Sequence, residues 1–429
     1  MNEAQSRSIL LVTHFYPPAQ EVASNRPEAL ARHLRRLGHR VAVLTTAAFG
    51  ELPDDADRGI VRSYDLQLLQ ARLRGERAAR ATMDSSAFKS GPHLVSRLTV
   101  PDPQLVAWTG FALRRALRMI RRHRPDCVIT TSPPESVHAI GAALRRRGIP
   151  WVADLRDAWV YESMKDEIWL WPWQHRVSEW MEARVLLQAD AVTAVTPPIV
   201  EDLRGRLGLQ RVRLVSNGWD PEGDEAPDES AVQRLDGERA SIVYTGHLGG
   251  ARRDPTPLVE ALASLARADP DAAAKLELAF AGSFTEDEMR LFETDVSPAR
   301  ITVLGAMPRP QALALQRAAA AALIVTGPRK QEAGAKLMEY LGAGAPILAI
   351  ARPDTAAARI VSETGAGIAV SPDDRRGIEE ALRRVAAGTV PRIGEEERLD
   401  YSWPRLAEGM AGAIEEAISA HPPEAMARS

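Results

Sequence analysis

Short apolar runs alternate with segments of helical periodicity along most of the 429-residue chain. The runs show little polar alternation, which predicts strands buried on both faces of a parallel sheet. Parallel strands need long crossover connections, and the helical segments supply them. The sequence therefore predicts an α/β fold, with strands at residues 9–12, 41–44, 127–130, 151–153, 191–195, 212–215, 242–244, 276–281, 301–304, 322–325, 347–350 and 367–370.

The alternation is interrupted at residues 221–238, which are acidic and rich in proline and glycine, as is typical of a linker. We predict two Rossmann-like parallel-sheet domains, residues 1–220 and 239–398, that face a central cleft. A helix at 399–420 is expected to return to the first domain, and the tail at 421–429 to be flexible. Ligands often bind between two such domains.

Charge and cysteine content narrow the class of protein. The formal net charge of -3 gives no support to a nucleic-acid partner. The single cysteine, Cys127, rules out an intrachain disulfide, so a reducing compartment is expected. No run approaches the roughly 18 apolar residues of a membrane span. The first seven residues lack the features of a signal peptide, and we expect a cytoplasmic protein.

The strongest candidate for ligand binding lies between two predicted strands, at residues 327–346. A helix is predicted to begin near Gly334 and to end at Gly342 and Gly344. The free amide groups at its start suit a phosphate. Lys336 and Glu339 share one helix face. They could grip the diphosphate and ribose of a nucleotide sugar, and a surface ion pair on a core-packing helix explains the spacing equally well.

A glycine-rich turn follows the first predicted strand of the second domain, at residues 245–255. Glycine lets the backbone approach a ligand closely, and Arg252 and Arg253 could neutralise a diphosphate there. The first domain has no Gly-x-Gly-x-x-Gly fingerprint after its first strand. We therefore expect no dinucleotide site in that domain.

Charged residues also follow a predicted strand of the first domain. Asp154, Arg156 and Asp157 come directly after the run at 151–153. Because ligands of open α/β sheets bind at the carboxyl edge, these side chains could contact a sugar or take part in chemistry. An Arg–Asp pair that braces a loop is an equally good interpretation.

The first helix is predicted to begin at Asn25. Asn25 and Glu28 have the spacing of a capping box, and Pro27 suits a first helical turn.

Two further segments have an unusual composition. Residues 169–173 are Trp-Leu-Trp-Pro-Trp, and residues 114–124 are strongly basic. They could seat a hydrophobic acceptor or make a weak peripheral contact with a membrane. A core cluster at a helix start and a solvated helix face are the alternative interpretations.

Five motifs occur in a fixed order: Phe15-Tyr-Pro-Pro18, Trp151-Val-Ala-Asp-Leu-Arg-Asp157, Ser216-Asn-Gly218, Tyr244-Thr-Gly246 with Arg252-Arg-Asp-Pro255, and Ala335-Lys-Leu-Met-Glu-Tyr-Leu341. Together they resemble the motifs of glycosyltransferase family 4. The resemblance implies the GT-B fold and a retaining glycosyltransferase that uses a nucleoside-diphosphate sugar. It also implies that neither a metal nor a cofactor is needed.

The resemblance further implies roles for individual residues. Cationic side chains would stabilise the departing diphosphate. The residues that we predict as catalytic are Arg252, Arg253, Lys336 and Asp154. Donor binding is predicted for Gly246, His247, Met307, Pro308, Gln331, Glu332, Gly334, Ala335 and Glu339, with Glu339 at the ribose and Met307–Pro308 at the base. Contact with the acceptor or the transferred sugar is predicted for Tyr16, Asn25, Arg156, Asp157 and Trp159.

The chain departs from the family pattern in three places. The family commonly has a second glutamate ahead of the one that matches Glu339, and this position falls on Gln331, with Glu332 next to it. The first cation of the glycine-rich turn falls on His247. Residues 19–24 contain no glycine, whereas the family loop is often glycine-rich. Either Gln331 or Glu332 could contact the transferred sugar.

Two other functions stay open on these residues. Sugar-nucleotide epimerases also use a GT-B architecture, and the departures would suit a non-catalytic, nucleotide-binding partner subunit. Acceptors in the family include lipid carriers, glycans and small metabolites such as antibiotics. A peripheral location at the inner face of the membrane therefore stays open beside a cytoplasmic one, as do the donor base, the linkage and the oligomeric state.

Overall fold

The computed structural model describes residues 6–19, 22–49, 54–67, 97–163, 165, 169–223, 226–249 and 253–421. The chain divides into two compact units. The first unit consists of Met1–Asn217 and Trp403–Ser429, and the second of Gly218–Ser402. Each unit is built around one parallel sheet.

The sheet of the first unit has seven parallel strands in the order β3-β2-β1-β4-β5-β6-β7. These strands are β1 (Ser8–Thr13), β2 (Arg40–Thr46), β3 (Ile60–Ser63), β4 (Cys127–Ser132), β5 (Trp151–Leu155), β6 (Ala191–Ala194) and β7 (Val212–Leu214). Every residue of β1, β4 and β5 is buried, because helices cover both faces of the sheet there.

The helices of the first unit begin with α1 (Val22–Arg36), α2 (Gly110–His123), α3 (Val137–Arg145), α4 (Pro172–Leu186) and α5 (Pro197–Leu207). A π-helical turn, Leu105–Thr109, leads into α2. Apolar residues of α2 to α5 form one core cluster with the sheet. α1 contributes to a second cluster of the unit.

The sheet of the second unit has six parallel strands in the order β10-β9-β8-β11-β12-β13. They are β8 (Ala240–Thr245), β9 (Leu276–Ala281), β10 (Arg300–Val303), β11 (Ala321–Val325), β12 (Ile347–Ile350) and β13 (Gly367–Val370). Both described sheets therefore confirm the predicted α/β class with two parallel-sheet domains.

The helices of the second unit are α6 (Thr256–Ala268), α7 (Pro270–Ala273), α8 (Glu286–Phe292), α9 (Arg309–Ala318), α10 (Ala335–Ala343), α11 (Ala356–Glu363), α12 (Arg375–Ala386) and α13 (Glu395–Leu399). α6 and α12 share one core cluster with the sheet. α10 and α11 share another.

The last helix, α14 (Trp403–Ala420), belongs to the first unit and packs against α1. Its apolar face joins the same core cluster as α1, through residues such as Met410 and Ile414. Arg7, just before β1, forms an ion pair with Glu415 of α14, with Nη2 2.6 Å from Oε2.

Two local predictions need correction. β3 was not among the predicted strands, because its four residues include Arg62 and Ser63 and make no apolar run. The expected start of α1 at Asn25 is wrong, because the helix begins at Val22 and contains Pro27 in its interior. Proline has no backbone N–H, so the carbonyl of Ala23 lacks its helical partner at this point. The Arg156 guanidinium donates a hydrogen bond to this carbonyl instead.

The predicted linker, 221–238, contains a 3-10 helix at Glu229–Arg234 that packs against α9. Asp228 caps it by accepting a hydrogen bond from the Ser230 amide, 3.0 Å away. Gln311 of α9 donates to the other carboxylate oxygen of Asp228 at 3.0 Å. This part of the segment is therefore attached to the second unit. Among the helices of the described ranges, none is both long and apolar enough to cross a membrane.

Candidate functional site

Three glycines mark the carboxyl edge of the second sheet, Gly246 after β8, Gly282 after β9 and Gly305 after β10. Their backbones are linked, since the Gly246 amide donates to the Ala281 carbonyl at 2.7 Å and the Gly282 amide to the Gly305 carbonyl at 2.9 Å. A Cβ on Gly282 would lie 1.9 Å from the Gly246 oxygen. A side chain is therefore excluded at Gly282, where the backbone itself forms this edge of the sheet.

Lys336 lies directly over the first of these glycines. A Cβ on Gly246 would be 2.9 Å from Lys336 Cε and 3.6 Å from its Nζ, and Gly246 has a φ of +115°. Lys336 is in the first turn of α10, which begins at Ala335 and follows Gly334 at a φ of +72°. Gly334 provides no side-chain cap, so the first amide groups of α10 have no such partner. An ammonium group and a helix N-terminus thus meet at the glycine edge.

Glu339 lies on the same face of α10 and accepts from three side chains. Lys336 Nζ is 3.3 Å from its Oε2. Arg309 of α9 donates from Nη1 to Oε1 at 3.1 Å, and Gln316 donates from Nε2 to Oε2 at 3.4 Å. Gln316 also donates to the Thr245 hydroxyl at 2.9 Å, which ties α9 to the end of β8. The carboxylate of Glu339 is therefore held between two cations.

Arg309 and Gln316 were not predicted as site residues. A signal existed for Arg309, because it directly follows Met307 and Pro308, which were predicted to line the base. Gln316 gave no local signal, since it lies inside an ordinary amphipathic helix.

The glycine-rich turn after β8 brings Arg253 close to His247. Arg253 Nη1 is 3.4 Å from the His247 carbonyl oxygen, which also accepts from the Tyr244 hydroxyl at 2.7 Å. His247 Nδ1 is 3.0 Å from the Ser283 carbonyl oxygen. Burial raises the pKa of Tyr244 to about 12, so its hydroxyl stays a donor. Arg252 lies outside the described residues.

The other predicted donor residues flank this cluster. Pro308 is exposed at the start of α9, and Met307 is partly buried against the core cluster beside it. Gln331 is half-buried in the loop before α10. Glu332 accepts from the Gly327 amide at 2.9 Å, so one of its carboxylate oxygens braces that loop.

In the first unit, Asp154 is the centre of a buried polar network. Arg26 of α1 donates to both of its oxygens, at 2.7 and 3.0 Å. The hydroxyls of Thr131 and Thr193 donate to it at 2.7 and 2.6 Å. Burial by itself would raise the pKa of Asp154, but the charge of Arg26 and these hydrogen bonds hold the pKa below its usual value. Asp154 is fully buried and both of its oxygens accept from neighbouring side chains. This position is that of a structural residue and gives no support to the predicted catalytic role.

Arg156 is buried and braces three backbone carbonyls. It donates from Nε to Ser132 at 2.5 Å, from Nη2 to Pro133 at 3.0 Å and from Nη1 to Ala23. Burial lowers the pKa of Arg156 to about 10, which still leaves it charged at neutral pH. Of the predicted charged cluster, only Asp157 has an exposed side chain.

The aromatic residues predicted to contact the acceptor are core residues. Trp159 is 1% exposed, stacks on His138 and donates to the Ser178 hydroxyl at 3.1 Å. Tyr16 is buried in the cluster that contains α1. Asn25 is exposed on α1. The described donor candidates thus lie in the second unit. Of the acceptor candidates in the first unit, some are core residues and others are exposed.

Family models match both parts of the chain. Residues 23–218 match the model described as "Glycosyl transferase 4-like domain". Residues 239–387 match the model described as "Glycosyl transferases group 1". No curated protein sequence matches the chain.

Solved structures share the fold over nearly the whole length. Sucrose-phosphate synthase from Thermosynechococcus elongatus is 18% identical with a TM-score of 0.58, covering 98% of this chain and 96% of that one. A trehalose 6-phosphate synthase from Burkholderia multivorans is 13% identical with a TM-score of 0.61, covering 97% and 100%. A putative UDP-N-acetylglucosamine 2-epimerase from Listeria monocytogenes is 13% identical with a TM-score of 0.53, covering 96% of each chain. At these identities the likeness establishes the GT-B fold.

Proposed function

Because the chain joins a glycosyl transferase 4-like domain to a group 1 glycosyltransferase domain in the GT-B fold, we propose that it transfers a sugar from a nucleoside-diphosphate sugar to an acceptor hydroxyl with retention of configuration. The observation that carries the proposal is the position of Lys336, over Gly246 and 3.3 Å from Glu339. A cation, a helix N-terminus and a carboxylate within one helical turn match a diphosphate joined to a ribose.

The donor would exchange partners with groups that now bind one another. Diphosphate oxygens would accept from Lys336 and from the first amides of α10, and Arg253 would add a second cation. Glu339, released from Lys336, would accept from the ribose hydroxyls. Arg252, which lies outside the described residues, stays a candidate for the diphosphate. The base would lie along Met307 and Pro308.

The reaction would proceed on one face of the sugar. The bond between the anomeric carbon and the diphosphate oxygen breaks, and the acceptor oxygen forms its bond on the same face. The acceptor proton passes to the departing diphosphate, so no protein base is required. Lys336 and Arg253 would stabilise the charge that develops on the leaving group, which is the main electrostatic contribution to the rate. No metal takes part in this scheme, and full activity in EDTA is its expected consequence.

The acceptor would be a glycan, a lipid carrier or a small metabolite. The names of sucrose-phosphate synthase and trehalose 6-phosphate synthase add a phosphorylated sugar to these candidates. Asp157 and Asn25 are the predicted acceptor residues with exposed side chains, so they are the ones that we retain.

The test compares two lysines with equal ion-pair distances. Lys336 is 3.3 Å from Glu339, and Lys330 is 3.3 Å from Asp354. Only Lys336 lies over Gly246. A charge-assisted hydrogen bond contributes roughly 1.5–3 kcal/mol, so Lys336→Met should weaken binding of nucleoside diphosphates by about tenfold to a hundredfold. Lys330→Met should bind as the wild type does.

Titration calorimetry with a panel of nucleoside diphosphates measures both affinities. Equal affinities for the two variants would show that the diphosphate does not bind at this end of α10 and would overturn the proposal. Hydrolysis or transfer from a matching nucleotide sugar, followed by anomeric analysis of the product, tests retention.

A sugar-nucleotide epimerase is the second candidate, since the Listeria monocytogenes protein named as a putative 2-epimerase has the same fold. The two functions separate in the absence of an acceptor. An epimerase would convert the nucleotide sugar to its epimer with the diphosphate bond intact. A transferase would leave the sugar's configuration unchanged in that mixture.

A further inference from the structure

Helix α4 has an inverted distribution of polar and aromatic residues. Its buried face carries Gln174, Ser178 and Glu182, each at most 1% exposed. Trp173 and Trp180 on its outer face are 50% and 66% exposed. Soluble helices normally bury their aromatic residues and expose their polar ones. The buried polar residues have partners inside the unit, and these contacts turn the tryptophans outward.

Each of the buried polar residues has a hydrogen-bond or ion-pair partner within the first unit. Gln174 accepts from the Trp171 amide at 3.1 Å and donates to the Arg97 carbonyl at 2.8 Å. Ser178 accepts from Trp159, and Glu182 pairs with Arg206 at 2.6 Å. α4 is therefore held in one rotational setting, which fixes the direction of its exposed face.

Apolar side chains form a stripe along the exposed face. Trp173, Val177, Trp180 and Leu187 recur at intervals of four, three and seven residues, so they lie along one side of the helix. Trp171, stacked on Trp173 with ring centroids 6.4 Å apart, and Leu170 extend the stripe beyond the helix start. Exposed contiguous apolar patches of this kind usually mark an interaction surface.

Charge next to the stripe indicates what covers it. Arg184 lies within the stripe, at helical spacing between Trp180 and Leu187, and Arg176 lies beside it, both exposed. α3 packs against both α4 and α2, so α2 belongs to the same face of the unit. α2 contains no acidic residue and exposes Arg114, Arg118, Arg121 and Arg122. Two copies of this chain would bring these like charges together and would have to bury Arg184.

We propose that the face formed by α2 and α4 docks on the surface of a bilayer that contains anionic lipids. Tryptophan favours the headgroup level of a membrane, and an arginine within the stripe can reach lipid phosphates while its stem stays in the apolar region. The arginines of α2 would add attraction to the negative surface. The helix would lie in the plane of the interface and not cross it. This proposal does not depend on the proposed sugar transfer.

Sedimentation of the full chain with vesicles tests the proposal. The wild type should bind vesicles of phosphatidylcholine and phosphatidylglycerol at least about tenfold more tightly than vesicles of phosphatidylcholine alone, and salt should reduce that difference. Trp173→Ser with Trp180→Ser should weaken binding to both kinds of vesicle. Arg118→Glu with Arg122→Glu should abolish the preference for the anionic lipid. Tryptophan fluorescence should shift to the blue on binding, and the tryptophan variant should lose most of that shift.

Matched controls are available on other elements of the chain. Leu214→Ser removes an apolar side chain that is 48% exposed, similar to Trp173, and Arg267→Glu reverses an exposed charge on α6. Both should bind as the wild type does, and circular dichroism checks that every variant is folded. Equal binding by the tryptophan variant would overturn the proposal. Light scattering without lipid gives a second test. A lower particle mass for the tryptophan variant than for the wild type would also overturn the proposal, because a second copy of the chain would then cover this face.

Discussion

Arg26 and Asp154 form an ion pair that is buried at both ends, with Nη2 2.7 Å from Oδ1 and side chains 2% and 0% exposed. The pair joins the first helix to the central part of the first sheet. Arg26 also donates to the carbonyls of Val215 and Ser216 at 2.8 and 2.6 Å. One guanidinium therefore holds together α1, β5 and the segment that follows β7.

Removing Arg26 should destabilise the protein far more than removing a surface partner. Arg26→Met leaves the Asp154 carboxylate buried without its counter-charge, which typically costs about 3–5 kcal/mol. Arg7→Met is the control, because Arg7 and Glu415 are 2.6 Å apart but partly exposed, and such pairs contribute about 0–1 kcal/mol. Urea unfolding followed by circular dichroism measures both. A loss of under about 1 kcal/mol in Arg26→Met would show that this pair does not hold the unit together.

The position of Asp154 in this network could be predicted from the sequence, but its pairing with Arg26 could not. Asp154 could be placed at the end of β5, because an apolar run precedes it. Arg26 could not be paired with it, since the two are 128 residues apart and hydrophobic periodicity contains no information on long-range polar partners. The burial of Trp159 and Tyr16 was missed for the same reason, because it depends on packing with elements that are distant in the sequence.

His138 should make stability depend on pH in the acid range. Burial lowers the pKa of His138 to about 3, and its Nδ1 is 2.8 Å from the Thr130 hydroxyl. Between the unfolded pKa of about 6.5 and the folded value, the unfolded chain binds a proton that the folded chain does not. Stability is therefore lost as pH falls through this window. His138→Phe should have a shallower slope of unfolding free energy between about pH 6.5 and 4, and equal slopes would assign the dependence to other groups.

Arg156 should act as the replacement partner for the Ala23 carbonyl. Pro27 cannot donate to that carbonyl, and Arg156 does. If the two facts are linked, a Pro27→Ala variant supplies a backbone N–H and makes Arg156 less important. Arg156→Met should then cost at least about 0.5 kcal/mol less in the Pro27→Ala background than in the wild type. A double-mutant cycle by urea unfolding measures the coupling, and strictly additive costs would mean that Arg156 stabilises the fold only through Ser132 and Pro133.

The positions of the predicted donor residues were more accessible to sequence reasoning than those of the predicted acceptor residues. Gly246, Lys336 and Glu339 belong to a strand end and a helix start, which local patterns locate well. The helix that carries Lys336 and Glu339 begins next to Gly334 and ends at Gly344, as predicted, whereas Gly342, also predicted at its end, lies inside the helix. Arg309 escaped prediction because it reaches Glu339 from a different helix.

A variant of Arg309 should distinguish two roles of this side chain at the proposed donor site. Its Nη1 is 3.1 Å from Glu339, and its side chain is 58% exposed. If Arg309 only orients Glu339 for the ribose, Arg309→Met should weaken the binding of a nucleoside and of its diphosphate by similar factors. If Arg309 also contacts phosphate, the affinity for the diphosphate should fall about tenfold or more beyond the fall for the nucleoside, because a charge-assisted hydrogen bond contributes roughly 1.5–3 kcal/mol. Calorimetric titration of both ligands separates the cases, with Arg317→Met, at the other end of α9, as the control. Unchanged affinity for both ligands would exclude Arg309 from the site and leave Lys336 and Arg253 as the described cations for the diphosphate.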